Sequence, residues 1–271
     1  MEYVFRGIWV IAYRDMLRFI QERSRAISSF AMPLMFLIIF GAGFNRVIGP
    51  MAPGIDFIQF IYPGIIAMTV LMGSLMSGLS IVWDREFGFL REVLVAPMSR
   101  TGIVLGKTAG TAVIALAQGS IMLALAPVIG VKLSPLLVVQ LIPLIILVSA
   151  SLSGLGILVA SRMRSQQGFQ MLIQIIIMPL VFLSGIFFPV NNVPAWLEVV
   201  SKINPLTYGV DAIRQVFLNV TAAANSGAAG GSTIGVTVFG HTMTVLDDAL
   251  VVAVLGAVLM AAAVWAFNKQ E

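Results

Sequence analysis

Leu183-Ser184-Gly185-Ile186-Phe187-Phe188-Pro189, with Pro194-Ala195-Trp196-Leu197 and Asn204-Pro205-Leu206-Thr207-Tyr208 close behind, breaks an apolar run with prolines and then continues as amphipathic sequence. A plain membrane-spanning helix ends in ordinary loop composition; this one runs into two short helical patterns. Asn192-Val193-Pro194 precedes a predicted helix over 196–203, in which Glu198 and Lys202 have the favourable i,i+4 spacing. Asn204 then serves as an N-cap, with Pro205 at the first helical position. Beyond it Leu206, Val210, Ile213 and Phe217 share one stripe, and Asp211 can pair with Arg214 across a turn. Trp196 and Tyr208 suit a headgroup boundary. Backbone of this kind at membrane depth is tolerated only where it packs on protein or lines a cavity. The stretch therefore predicts a structured cap at the membrane face of a helix bundle.

Composition agrees. Of 271 residues, 59% are hydrophobic and only 10% charged, and the mean hydropathy is +1.01. A soluble domain carries about a quarter charged residues. The net charge of +4 would suit a nucleic-acid partner in a soluble protein. In so apolar a chain, lysines and arginines mark cytoplasmic loops instead, so no nucleic acid is expected. The absence of cysteine excludes disulfides and thiolate metal sites. The first arginines are followed by no early apolar run with a small-residue cleavage site, so no removable signal peptide is expected.

Six segments reach the roughly 20 apolar residues that a span needs: 27–47, 58–82, 103–129, 136–161, 170–188 and 246–267. With the N terminus inside, the cytoplasmic side takes Arg6, Arg14, Arg18, Arg23, Arg25, Arg85, Arg91, Arg100, Lys107, Arg162, Arg164 and Lys269. The outside takes only Arg46, Lys132, Lys202 and Arg214. That asymmetry predicts an all-α integral membrane protein, one transmembrane domain over 1–271, with six spans and both termini cytoplasmic. The turn at 130–134 is short, which makes spans three and four antiparallel neighbours. Between spans five and six, residues 222–233 are rich in Gly, Ala and Ser and read as flexible, within an outer segment 222–245. Residues 236–242 read as a short extended piece.

Two more amphipathic elements lie outside the spans. In segment 1–26, Phe5, Trp9, Ala12, Met16 and Phe19 fall at steps of four and three, one helical stripe, with Arg14, Arg18, Gln21 and Arg25 on other faces. Such a helix lies in the cytoplasmic interface, as an anchor or as a means of gathering a partner. In loop 84–100, Phe87, Leu90 and Leu94 form a short apolar face beside Asp84, Arg85, Glu86, Arg91 and Glu92, and Pro97 stops the helix. It suits a socket in another protein, or is a solvated loop helix with interface anchors.

Catalytic chemistry is not expected. Lys107, snorkelling from the cytoplasmic end of span three, is read as the one charged residue within the spans, which disfavours a proton- or sodium-coupled carrier. His241 lies outside them and reads as a surface residue. Neither a metal-spaced cluster nor a Ser-His-Asp set can be assembled. Gly102-Ile103-Val104-Leu105-Gly106-Lys107-Thr108 resembles a phosphate-binding loop but has three residues between its glycines where four are needed, with no strand before it. Gly102, Gly106 and Gly110 read better as a small-residue face for close helix contact. Asn219-Val220-Thr221 fits a glycosylation sequon that matters only in a secreted eukaryotic context. Gln118, Gln174 and the serines at 74, 77, 80, 149, 151 and 153 read mainly as interhelical hydrogen bonds. Phe36, Phe40, Met68, Met72, Met76, Phe182, Phe187 and Phe188 are core or lipid-facing residues, or the adaptable wall of a path.

At this point the residues match a family. The charged start Asp84-Arg85-Glu86, leading through Leu94 to Pro97 and Arg100, resembles the loop of type 2 ATP-binding-cassette (ABC) exporter permeases. The opening stretch, with Asp211-Ala212-Ile213-Arg214, is similar to that family's C-terminal signature, in its drug-efflux and daunorubicin-resistance-like branch. The likeness in layout covers nearly the whole chain. It implies a permease subunit that pairs with a second copy (a homodimer) and with two cytoplasmic ATPase subunits. Those partners would use ATP and Mg; this chain would bind no cofactor and would be no enzyme. The resemblance makes Asp84, Arg85, Glu86, Phe87, Leu90, Arg91, Leu94 and Pro97 the ATPase-coupling residues. It makes 189–221 a re-entrant cap, with Phe187, Phe188, Pro189, Trp196, Pro205 and Tyr208 at an outer gate. It implies export of a lipophilic drug-like or lipid substrate across a bacterial or archaeal cell membrane, in contact with membrane lipid. The alternatives are export of a lipid-linked glycan, or a membrane receptor or assembly factor that moves nothing.

Overall fold

The computed structural model describes residues 2–48, 57–87, 100–129, 133–190, 193–226, 235–238 and 241–269. Ten helices are described: α1 (Glu2–Gln21), α2 (Arg23–Ile48), α3 (Phe57–Leu75), α4 (Ser77–Glu86), α5 (Arg100–Leu125), α6 (Pro135–Arg162), α7 (Gln166–Phe182), α8 (Ala195–Ile203), α9 (Pro205–Ser226) and α10 (Val245–Asn268). A 3₁₀ turn (Ala126–Ile129) extends α5, and β1 (Thr237–Val238) pairs antiparallel with β2 (His241–Thr242) just before α10. This hairpin is the extended piece expected over 236–242.

Every expected span coincides with helix, with one change of boundary. The helix expected over 170–188 ends at Phe182, because Ser184 and Gly185 turn the chain there. Four described stretches are long and apolar enough to cross a membrane: Phe57–Glu86, Thr101–Val128, Pro135–Arg162 and Val245–Asn268. Ile27–Gly41 and Gln166–Phe182 are shorter apolar helical stretches. The segment expected to be flexible from residue 222 is still helical to Ser226; 227–234 lie outside the described residues.

The bundle is organised around α6, against which α3, α4, α5, α9 and α10 all pack. Small residues let it serve so many neighbours. A Cβ on Gly78 would lie 2.2 Å from the Gly156 carbonyl oxygen, and one on Gly156 would lie 2.5 Å from that of Leu75. No side chain fits at that crossing. A Cβ on Gly256 of α10 would stand 2.8 Å from Ser151 Cβ. Serines on the same helix make the interhelical bonds: Ser74 Oγ donates to Ser149 Oγ (3.1 Å) and Ser153 Oγ to Thr108 Oγ1 (3.3 Å). The continuous stretch α3–α4, broken only at Met76, is the most enclosed, with every residue from Phe60 to Leu71 buried. About three turns of apolar helix hidden on all sides place the core there rather than at the lipid surface.

Helix α1 packs along α5. The contact is close at Gly110, where a Cβ would stand 3.1 Å from Ala12 Cα; Gly102 and Gly106 are buried on the same helix. Ile11 is buried, while Trp9 (72%), Tyr13 and Ile20 are exposed. The stripe expected through Trp9 and Ala12 therefore divides. Ala12 faces the protein and Trp9 faces away, because α1 has apolar residues on two faces.

Candidate functional site

The cap is built from its turn outward. Gly185 has φ +76°, a left-handed conformation that favours glycine, and a Cβ there would stand 2.6 Å from Val190 Cγ2. The carbonyls freed by this turn are taken by Arg214 of α9. Its Nη2 donates to Gly185 O (2.7 Å) and Ile186 O (3.4 Å), and its guanidinium stacks 4.0 Å from the Phe60 ring centroid. Arg214 was expected to pair with Asp211. Instead α9 is buried on nearly all sides from Leu206 to Phe217, and the carbonyls of the turn lie on the Arg214 side. Asp211 Oδ2 accepts from Val236 N (2.8 Å) and Gln215 Nε2 (2.9 Å). Gln215 Nε2 also donates to Asp248 Oδ2 at 3.0 Å, tying α9, α10 and the hairpin together. Asp248 is fully buried within the expected sixth span, so Lys107 is not the only charged residue there.

Local expectations for the cap hold. Leu206, Val210, Ile213 and Phe217 are all buried. Asn204 Oδ1 accepts from Leu206 N (3.0 Å), capping α9 behind Pro205, and Lys202 pairs with Glu198. Tyr208 differs. It is 6% exposed and its hydroxyl donates to Lys202 O (2.7 Å), so it locks α9 to α8 instead of sitting at a headgroup boundary. Trp196 is 69% exposed, and Pro189 is exposed too. Phe188 is half-buried. Phe187 folds into an aromatic cluster, with ring centroids 5.4 Å from Phe36, 4.8 Å from Phe40 and 5.3 Å from Phe182. Phe36 and Phe40 stack at 5.6 Å. The cluster closes α2 against the end of α7.

At the opposite end of the bundle, Asp84, Arg85 and Glu86 between them reach four other helices. Asp84 Oδ2 accepts from Arg14 Nη2 of α1 (3.0 Å) and from Lys107 Nζ of α5 (3.4 Å). Arg85 Nη1 donates to Met163 O (2.6 Å) and Ser161 O (3.3 Å), at the carbonyl end of α6 where a cation is favourable. Glu86 Oε2 accepts from Gln166 N (2.9 Å), one of the orphan N–H groups that open α7. Together they form a joint between α1, α4, α5, α6 and α7. Lys107 does not snorkel. It is 2% exposed, bonded to Ser80 Oγ (2.7 Å) and 3.6 Å from Asp15, because α1 covers that side of α5. Arg14 is held above its ordinary pKa; burial opposes its charge, and Asp84 with Asp15 outweighs it. Phe87 is 68% exposed past the joint. Leu90, Arg91, Leu94 and Pro97 lie outside the described residues.

A cavity of about 460 Å³ lies between the two ends, walled by α1, α2, α3, α4, α5 and α7. Arg18, Glu22 and Trp83 stand at the joint side, then Ser77, Thr111, Gln170 and Gln174, then Met32, Met72 and Ile177 toward the aromatic cluster. From Trp83 to Met72 is roughly 16 Å of helix. Thus Met72 and Met76, two of the residues weighed as a path wall, line it, while Met68 is core at 1% exposure. Gln170 and Arg18 carry no such expectation. The available signal was Gln170 and Gln174 at i,i+4 on an otherwise apolar helix.

The chain matches the family model for ABC-2 type transporters over residues 6–218. It belongs to the ABC-2 type transporter family. Among relatives, it is 32% identical over 207 residues to the Cyanophora paradoxa protein ycf38, whose name describes a transport permease, covering 73% of this chain and 71% of that one. It is 31% identical over 167 residues to YbhR of Escherichia coli (strain K12), whose name describes a multidrug ABC transporter permease, covering 61% of this chain and 45% of that one. It is 27% identical over 187 residues to the inner membrane transport permease YadH of Escherichia coli (strain K12), covering 69% and 72%.

Proposed function

We propose that this chain is the permease subunit of an ATP-driven exporter. It crosses a bacterial or archaeal cell membrane six times with both termini cytoplasmic, and pairs with a second copy of itself and with two cytoplasmic ABC ATPases that use ATP and Mg. The observation that carries this reading is the cavity, lined at one end by Asp15, Arg18 and Glu22 and at the other by Met32, Met72 and Ile177, on the helices that continue to the Phe36, Phe40, Phe182 and Phe187 cluster. A lipophilic drug-like or lipid molecule enters from the cytoplasm or inner leaflet beside Arg18 and Trp83. Closure of the ATPases pushes on Phe87 and the loop that follows it. Because Asp84, Arg85 and Glu86 hold four other helices, the push reaches α7 directly through the Glu86 contact to Gln166. Tilting α7 draws Phe182 and Phe187 away from α2, which parts the gate.

The test is co-expression with an ABC ATPase encoded beside this chain, followed by substrate-stimulated ATP hydrolysis and uptake into inverted vesicles. Lipophilic compounds should stimulate hydrolysis and accumulate in the vesicles. Glu86→Gln should retain insertion and pairing but transport poorly per ATP. Phe187→Ala should leak substrate without ATP. Full, tight export by both variants would overturn the reading.

A further inference from the structure

We infer that the cavity takes an uncharged amphiphile, its hydroxyl-rich head held by Gln170, Gln174, Ser77 and Thr111 and its apolar body laid on Met32, Met72 and Ile177. The inference rests on the cavity being the export path. It names the class of molecule that path selects.

The charges around the cavity are already ion-paired, although Asp15 Oδ1 accepts no hydrogen bond. Arg18 Nε lies 3.3 Å from Glu22 Oε1, and its guanidinium covers the Trp83 ring at 4.2 Å. Asp15 stands 3.6 Å from both Arg14 and Lys107. A ligand cation therefore finds the aromatic face occupied and the carboxylates paired. A phosphate finds the arginine engaged. Either would lose its water without gaining a counter-ion, and burying a charge unpaired is strongly unfavourable.

Neutral hydrogen-bonding groups remain. Gln170 and Gln174 are exposed on the cavity's α7 side, and among the described residues no hydrogen bond engages either side-chain amide. Being one turn apart, they face the same way, and each offers two donors and an acceptor. Thr111 Oγ1 donates to Lys107 O (2.7 Å) and Ser77 Oγ to Ser153 O (3.5 Å), which leaves oxygen lone pairs on both hydroxyls to accept. Donors and acceptors interleaved at side-chain spacing match a hydroxyl, which is both. Ile177 of α7, Met32 of α2 and Met72 of α3 line the cavity beyond them, and thioethers accommodate apolar bodies of varied shape. A volume of about 460 Å³ lies inside the range that encloses a drug-sized ligand.

The test uses the full chain in lipid nanodiscs prepared without glycoside detergent. A photoreactive alkyl glucoside is cross-linked, mapped by mass spectrometry, and competed with alkyl glucoside, alkyltrimethylammonium or alkyl phosphate of equal chain length. Labels should fall on α4 and α7 peptides around Trp83 and Gln174. The glucoside should compete at least about tenfold better than either charged amphiphile. Q170L/Q174L should weaken glucoside competition about tenfold, the loss of two neutral hydrogen bonds, with Q174L alone intermediate. Gln167→Leu, outside the cavity lining, should leave it unchanged. Labels outside the cavity, equal competition by a charged amphiphile, or undiminished competition in Q170L/Q174L would each overturn the inference. Labelling requires no ATPase, so the two readings fail separately. Cavity labelling with no ATP-driven uptake would sink export alone, and ATP-driven uptake that prefers a charged amphiphile would sink the ligand class alone.

Discussion

The two ends of this bundle are held by different chemistry. At the Asp84 end the centre is a set of ion pairs, Arg14, Asp15, Asp84 and Lys107 across α1, α4 and α5, with Arg85 and Glu86 adding contacts to backbone at its edge. At the Gly185 end the contacts run from side chain to backbone, as Arg214 to Gly185 O, Tyr208 to Lys202 O and Asn204 Nδ2 to Leu180 O (2.8 Å). Backbone carbonyls have one place to be, so the cap is anchored to a fixed turn and only the phenylalanine rings remain to part. Ion pairs between long side chains tolerate sliding of the helices that carry them. The difference suits an end that receives force and an end that opens in response.

That contrast can be broken most severely at the joint. Lys107→Met leaves the buried Asp84 and the partly buried Asp15 beside Arg14 alone, and should cost about 3–5 kcal/mol of stability in thermal unfolding of the purified chain. Combining it with Asp84→Asn should recover most of the loss, since a buried pair replaced as a unit is close to neutral. Failure of the double variant to recover would mean that the joint depends on Asp84 for more than charge. Next comes the cap. Arg214→Met removes the charged donor from two carbonyls and should cost about 2–3 kcal/mol, with the unfolding midpoint lowered and protease cleavage appearing near Phe187. Gly185→Ala should cost about 1–2 kcal/mol from the left-handed backbone, and more if Val190 cannot move. The smallest expected effect is Glu86→Gln, about 1 kcal/mol or less from a weakened contact at the N-terminus of α7. Its consequence for transport should exceed its consequence for stability. A Glu86→Gln variant as unstable as Lys107→Met would show the joint to be a rigid clamp and not a transmitter.

Much of the fold was legible because helices announce themselves locally. Apolar runs placed α2 through α7 and α10. The spacing of Leu206, Val210, Ile213 and Phe217 named the buried face of α9, and Asn204-Pro205 named its start. The charged loop and the proline-broken stretch identified the family before any contact was known. The site was less legible. Gln174, Met72, Met76, Phe182 and Phe187 were among the expected polar and path-wall residues, but nothing in the sequence joined them to Arg18, Trp83 or Gln170. Tyr208 and Trp196 read alike as amphipathic aromatics, yet one is buried and the other faces out.

The sequence by itself determined which segments are helical, which face α9 buries and where the chain turns, since those follow from periodicities and caps a few residues long. Tertiary structure alone decided what each buried charge meets. Arg14 and Asp84 are 70 residues apart, and Arg214 and Gly185 are 29. No local rule couples such positions. Lys107 finds Asp84 only because α1 lies on α5, and Arg214 finds Gly185 only because α9 packs beneath the turn. The proline-broken stretch thus marks the cap in the sequence, while its anchor and its aromatic closure come from helices elsewhere in the chain.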